Sequence, residues 1–185
     1  MKPQFLIVGI GNPGKQYANT RHNVGYQAVE SSVSAFGARE WSAKQKFLSL
    51  TAEGNIDGID CLFVKPETYM NRSGEAIGKL LKFYKLSAGS QLLVFCDDVD
   101  IELGSYRLRL KGGPGTHNGL KSIVDAVGEN FPRIRIGIGP QPEKMDLAAW
   151  VLSALTKEEA AKLDGIYKQL PTLIRVVLRE LKLIA

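Results

Sequence analysis

The sequence predicts an α/β fold: a single domain built on a twisted, mostly parallel mixed β-sheet with helices on both faces. Two observations carry that expectation. Short apolar runs recur along the chain, and the stretches between them repeat their apolar residues at helical rather than strand spacing. Alternating strand and helix signals imply a sheet covered by helices on each side. A third observation makes the sheet mixed, because two of the runs flank a short turn-rich segment and read as a hairpin. At 185 residues the chain is long enough to bury a substantial core, and one domain spanning residues 1–185 is expected.

In chain order, Phe5–Val8 reads as a buried strand and Val24 to Phe36 as a helix closed by Gly37. Phe47–Ala52 and Asp60–Val64 flank EGNIDG, the hairpin signal. Glu75 to Tyr84 is helical, with Ile77, Leu80, Leu81 and Tyr84 on one stripe, and Leu92–Phe95 is a further buried strand. Tyr106–Leu110 and Ile134–Ile138 alternate polar and apolar residues, as strands with one polar face do. Between them, Leu120, Ile123, Val124 and Val127 line one side of a helix stopped by Gly128. Thr156 and Glu159 form a capping-box pair opening a helix to about Gln169. Pro171 then opens a last helix carrying Leu173, Ile174, Val177, Leu178 and Leu181.

Composition narrows the function classes. Hydrophobic residues make up 44% and charged residues 23% of the chain, which is ordinary for a soluble globular protein. No apolar run approaches the roughly 18–20 residues that span a bilayer, and MKPQFLIVGIG lacks the pattern of a secretory signal. Cys61 and Cys96 lie inside strand-like runs and are expected as buried free thiols, consistent with a cytoplasmic location. The net charge of +5 permits a polyanionic partner without demanding one. The mild charge and the lack of an obvious apolar patch favour a monomer.

The chemistry concentrates after the strands. Gly9 to Asn23, GIGNPGKQYANTRHN, holds three glycines, three asparagines and one of only two histidines. Asn12 and His22 follow the first strand, Met70-Asn71 the third apolar run, and Asp97-Asp98 the fourth. If those strands are parallel, all three clusters lie at their carboxyl ends, where open α/β sheets bind ligands. One such cluster reads as a polar loop; three at corresponding positions read as a site. A fourth cluster, KGGPGTHNGL, puts His117 and Asn118 at a helix start, where Asn118 also suits a capping role, as Asn71 and Ser73 do before the Glu75 helix. Histidine is suited to proton transfer near neutral pH, a carboxylate such as Asp97 can fix its tautomer, and asparagine amides can hold a carbonyl or an oxyanion. Zinc-ligand spacing and a Gly-x-Ser-x-Gly elbow are both lacking. What remains is a histidine that activates water.

The arginines are patterned too. Arg107 and Arg109 share one strand face, as do Arg133 and Arg135, so neighbouring strands would line up four guanidinium groups with Lys111 nearby. A helix bearing Lys79, Lys82 and Lys85 would extend this basic track. A competing motif, Gly9-x-Gly11-x-x-Gly14, formally matches a dinucleotide fingerprint. Against it stand Pro13 in the turn, the polar stretch from Lys15 to Asn23 where a helix should begin, and the placement of Glu30 inside a helix.

GNPGKQYANTRHNVG, PETYMNRSG, FCDDVDIELG and GGPGTHNGLKSI, followed by RIRIGIG, together resemble bacterial peptidyl-tRNA hydrolase, in order, from about Phe5 to Val151. The resemblance implies cleavage of the ester between a peptide and the 3′-terminal ribose of tRNA, with no metal or organic cofactor. It implies that His22 is the general base and Asp97 its orienting partner. Asn12, Asn71 and Asn118 would hold the peptide end, the attacking water and the terminal nucleotide. Met70 would pack beneath the site, Tyr17 would border the tRNA end and His117 would lie at the cleft rim. Arg109 and Arg135 would clamp the tRNA 5′-phosphate region. Pro114 and Thr116 depart from the Gly and His common in that loop. A second reading, a non-catalytic RNA-binding member of the fold, is opposed by intact His22, Asp97 and the three asparagines.

Overall fold

The computed structural model describes residues 2–185. Strands β1 (Phe5–Gly9), β2 (Ser42–Lys44), β3 (Ser49–Ile56), β4 (Ile59–Pro66), β5 (Leu92–Asp98), β6 (Tyr106–Arg109) and β7 (Arg133–Gly137) form one sheet in the order β2-β3-β4-β1-β5-β7-β6. The central strands β4, β1, β5 and β7 run parallel. The remaining pairings, β2 with β3, β3 with β4 and β6 with β7, are antiparallel. The mixed, mostly parallel sheet expected from the sequence is therefore the observed one.

The helices are α1 (Val24–Ala35), α2 (Ser73–Tyr84), α3 (Ala88–Gln91), α4 (Asn118–Val127), α5 (Leu147–Leu152), α6 (Lys157–Tyr167) and α7 (Leu170–Glu180). They divide between the faces because consecutive strand residues point to opposite sides. Ile7, Phe63, Phe95, Ile134 and Ile136 pack with α1, α6 and α7, whereas Leu6, Val8, Val64, Val94 and Cys96 pack with α2 and α4. A strand buried on both faces reads as an unbroken apolar run, as β1 does. Each fully buried Leu, Ile or Phe stabilises the fold by about 1.5–3 kcal/mol.

Local chemistry sets the joints. The β3–β4 hairpin is tighter than EGNIDG suggests: the strands continue through Asn55 and Ile56, leaving Asp57 (φ 50°) and Gly58 (φ 92°) as the turn. Two successive positive φ values suit a type I′ turn and the strand twist. The Thr156–Glu159 capping box opens α6, and Pro171 sits in the first turn of α7, both as the sequence indicates. Where β1 meets α1 the two backbones nearly touch: a Cβ on Gly9 would lie 2.1 Å from the Gly25 carbonyl oxygen. Only glycine permits that approach, and it brings the residues just before α1, His22 and Asn23, against the end of β1. No helix follows the first glycines directly. Two 3₁₀ turns, Lys15–Tyr17 and Arg21–Asn23, come first, so the dinucleotide geometry is not built.

Short elements without periodicity escape the sequence patterns: β2, α3 and above all α5. The last is capped by Asp146, whose carboxylate accepts the Ala149 N–H at 3.1 Å. No helix among the described residues is long and apolar enough to cross a membrane.

Candidate active site

A cleft of about 650 Å³ opens at the carboxyl ends of the parallel strands. Asn12 and His22 reach it from the segment after β1, and Met70 and Asn71 from the 3₁₀ turn after β4. Asp97 and Asp98 reach it from the end of β5, and His117 and Asn118 from the start of α4. The clusters that the sequence scatters over more than 100 positions thus converge. Asp97 and Asp98 belong to the strand itself rather than to a loop beyond it.

The centre is a buried carboxylate between two imidazoles. His22 Nδ1 lies 2.8 and 2.9 Å from the two Asp97 oxygens, and His117 Nε2 lies 2.8 Å from Asp97 Oδ1. Asp97 is 2% exposed. Burial pushes its carboxyl up, but the His117 and His22 imidazoles together more than reverse this and hold it well below the usual carboxylate range. An ionised carboxylate only accepts hydrogen bonds, so each imidazole donates to it. His22 therefore carries its proton on Nδ1 and keeps the Nε2 lone pair free. His117 Nδ1 accepts the Gly119 and Leu120 N–H groups at 3.1 and 3.2 Å, so its proton is on Nε2 and neither nitrogen is spare. Both tautomers are assigned from the hydrogen-bond network.

One sequence expectation is corrected here, the rim position of His117, and the capping alternatives for Asn118 and Asn71 fall away. His117, not Asn118, caps α4, and Asn118 is exposed in the cleft. Nor does His117 lie at the rim: its side chain is 7% exposed and bonded to Asp97. Asn71 likewise does not cap α2. It belongs to the 3₁₀ turn and faces the cleft, while Ser73 Oγ donates to the Met70 carbonyl.

Asn12 is held by its neighbours. Its N–H donates to Asn23 Oδ1, Asn23 Nδ2 donates back to the Asn12 carbonyl, and Asn12 Oδ1 accepts the Met70 N–H, each at 2.9 Å. With Oδ1 engaged, the amide Nδ2 is the end left to donate into the cleft. Asn23 is thus a supporting residue that sequence reasoning missed. Met70 is buried beneath, and a Cβ on Gly119 would stand 2.5 Å from its sulfur, so the glycine of HNGL lets α4 close on the cleft floor. Tyr69, 56% exposed and lining the cleft, was also missed, as were the α5 residues Leu147, Val151 and Leu152 that form the opposite wall.

Tyr17, Arg109 and the wider arginine face stand apart. Tyr17 is half-buried in its 3₁₀ turn and does not line the cleft. The register does place Arg107 opposite Arg135 and Arg109 opposite Arg133. However, Arg133 is 1% exposed, stacked on Phe131 at 3.8 Å, and donates to the Glu129 carbonyl at 2.9 Å. Arg135 lines the cleft and pairs with Asp98 at 3.2 Å. Only Arg107 and Arg109 are exposed, so the basic track is narrower than four guanidinium groups.

His22, Asp97 and His117 bring ligand-capable atoms within 4.8 Å of one another, a set that sequence spacing conceals. Their nitrogens and oxygen sit at hydrogen-bond separations, and His117 has its second nitrogen committed to α4. A metal would have to displace both N–H donors. Cys61 and Cys96 are free and buried, and burial pushes each thiol up to about 12, so neither supplies a thiolate near neutral pH. No serine or cysteine lines the cleft among the described residues. The arrangement defines a class: an α/β site equipped for general-base chemistry, with amide donors around it.

The comparisons with known proteins specify the family. The peptidyl-tRNA hydrolase family model matches residues 6–183. Peptidyl-tRNA hydrolase of Chloroflexus aurantiacus is 44% identical over 177 residues, covering 95% of this chain and 93% of that protein. The enzyme of that name from Aquifex aeolicus is 44% identical over 165 residues, with 89% and 84% covered. The crystal structure of peptidyl-tRNA hydrolase from Acinetobacter baumannii superposes with a TM-score of 0.89 at 37% identity, covering 97% of this chain and 91% of that one. The chain belongs to the peptidyl-tRNA hydrolase family.

Proposed function

We propose that this chain hydrolyses the ester joining a peptide, or an N-blocked aminoacyl group, to the 3′ end of tRNA. The observation that carries the mechanism is the free Nε2 of His22 in a cleft where Nδ1 is tied to buried Asp97. His22 takes a proton from water as the water attacks the ester carbonyl, and Asp97 stabilises the imidazolium that forms; collapse of the tetrahedral adduct breaks the bond from the acyl carbon to the ribose 3′ oxygen, and the imidazolium returns its proton to that departing oxygen. Asn12 Nδ2, Asn71 and Asn118 are the amide groups within the same cleft. They are suited to hold the carbonyl, the developing oxyanion and the peptide backbone. An ester leaves more readily than an amide, so a positioned base and fixed dipoles suffice without a metal. Exposed Arg109 and cleft-lining Arg135 supply charge for the tRNA phosphates. A monomer in the cytoplasm is the setting this reading takes: the two free buried thiols suit a reducing compartment, and the mild net charge of +5 suits a monomer.

The test is turnover of an N-acetylated aminoacyl-tRNA by wild type and His22→Ala, each also after chelator treatment. The expected outcome is chelator-resistant turnover by wild type and a kcat lower by roughly 10²–10⁴ in the variant, the usual span for a lost general base. A variant with near-normal kcat removes His22 from that role.

A further inference from the structure

Arg21, the residue before His22, turns its side chain away from the cleft and is 4% exposed. Its Nη1 and Nη2 donate to Glu159 Oε2 and Oε1 at 2.9 Å each, and its guanidinium lies 3.7 Å from the Trp150 ring centroid. Main-chain contacts run beside it. Thr20 bridges Ala154, the Arg21 N–H donates to the Ser153 carbonyl at 3.1 Å, and the Leu155 N–H donates to the Asn19 carbonyl at 2.9 Å. Glu159 Oε2 also accepts the Thr156 N–H at 2.8 Å, closing the capping box of α6. One carboxylate thus joins the start of α6 to the catalytic segment, and Trp150 belongs to α5, the cleft wall.

We infer that Arg21 is a positioning residue for His22: clamped by Glu159 and Trp150, it fixes where His22 Nε2 points and holds the base in register with the α5 wall. This rests on the reading of His22 as the base.

Stability alone is a poor reason for this arrangement. The pair is part-buried, with the Arg21 side chain 5% and the Glu159 side chain 23% exposed, and such pairs return little net stability, because desolvation offsets attraction. Here Arg21 Nε and Trp150 Nε1 are two of four buried side-chain atoms left without a hydrogen-bond partner among the described residues, with Thr68 Oγ1 and Arg135 Nε, a cost that native folds generally avoid. Local costs of this kind gather where function requires a fixed geometry. His22 needs such fixing. Apart from main-chain bonds, its ring has a single polar anchor, Asp97, and a displacement of about 1 Å at a reacting group can cost on the order of 10²-fold in rate. A comparable fork elsewhere serves as the contrast. Arg175 on α7 contacts Asp57 at 2.8 and 3.3 Å and lies 5.0 Å from the Phe36 ring, away from the cleft and about a third exposed.

The experiment compares Glu159→Gln, Arg21→Lys and Asp57→Asn. Glutamine keeps an oxygen for the capping box but loses the charge that clamps Arg21. Lysine keeps the charge but neither the fork nor the flat stack. Two readouts are taken on folded protein: kcat and KM with N-acetylated aminoacyl-tRNA, and the NMR resonance of the His22 Nδ1 proton. Glu159→Gln and Arg21→Lys are each expected to lower kcat roughly fivefold or more with KM within about twofold, and to shift or broaden the Nδ1 proton. Asp57→Asn is expected to leave both unchanged. For Arg21→Ala, added guanidinium is expected to restore part of the lost kcat. An unmoved Nδ1 proton and unchanged kcat in both latch variants, or an equal kcat loss in Asp57→Asn, overturns the inference. Absence of turnover in wild type, with the Nδ1 shift still present in Glu159→Gln, overturns the catalytic reading and leaves the latch standing.

Discussion

His22 and His117 invite comparison because they are so alike. Each precedes an asparagine, each approaches Asp97 to 2.8 Å, and their ring centroids are 5.0 Å apart. They differ in which nitrogen the backbone leaves available. The His22 segment is a 3₁₀ turn whose main-chain groups bond among themselves and to residues 153–155, leaving Nε2 untouched. His117 stands at the start of α4, and the unpaired N–H groups of that helix consume its Nδ1. A shared acid partner therefore does not make two histidines equivalent; the local fold around each decides which keeps a usable lone pair.

The comparison is broken most directly at the two rings. His22→Ala is expected to have the largest effect of any single change, a loss in kcat of roughly 10²–10⁴-fold. If His117→Ala costs as much, the tautomer assignment behind the comparison is wrong. Asp97→Asn comes next. The amide keeps the shape but loses the charge that stabilises a protonated His22, so kcat is expected to fall on the order of tenfold or more, by less than in His22→Ala. The same variant has a pH signature. The folded-state Asp97 carboxyl is held below its unfolded value of about 3.9. A depressed group contributes stability above the unfolded value and loses it as pH falls toward the folded one. The gap in urea stability between wild type and Asp97→Asn is thus expected to narrow as pH falls below about 4. A gap that widens on acidification would contradict the depressed carboxyl.

His117→Asn sharpens the comparison further. Asparagine is a good N-cap, so α4 should keep its start while Asp97 loses its second donor. A kcat reduction of less than about tenfold is expected, with thermal stability near wild type. His117→Ala removes the cap as well and is expected to cost about 1 kcal/mol more in stability. Equal stability of the two variants would show that the imidazole does not cap α4.

Much of this is legible in the sequence alone. The strands were readable because β1, β4 and β5 are buried on both faces and so print as continuous apolar runs, and α2 and α4 because one stripe of each faces the core. The convergence of Asn12, His22, Asn71 and Asp97 follows from placing polar clusters at the ends of parallel strands, whereas Asn118 is placed only by its position at a helix start. What sequence could not show was pairing. Arg133 and Arg135 look identical in RIRIG, yet one is sealed beside Phe131 and the other opens on the cleft. Position 118 looked like the cap because asparagine caps well, while the neighbouring imidazole reached the amides first. The α5 wall was hidden because six residues are too few for a period to register.

The smallest expected effect separates the arginines from the catalytic centre. Arg109 is exposed and takes no part in the cleft lining, so Arg109→Ala should leave kcat at saturating substrate unchanged. It should weaken tRNA binding and flatten the plot of log affinity against log salt by at most about one unit, one phosphate contact's worth. Arg135→Ala should flatten it similarly but carries a second cost. Its partner Asp98 has a side chain only 5% exposed, and removing the guanidinium leaves a buried carboxylate without its ion pair, which destabilises the end of β5 where Asp97 sits. Loss of thermal stability together with affinity in Arg135→Ala, against loss of affinity alone in Arg109→Ala, would divide the track into a structural inner residue and a purely electrostatic outer one. An unchanged salt slope in Arg109→Ala would instead confine phosphate contact to the cleft mouth, because a charge that meets the substrate's backbone cannot be removed without releasing fewer counterions.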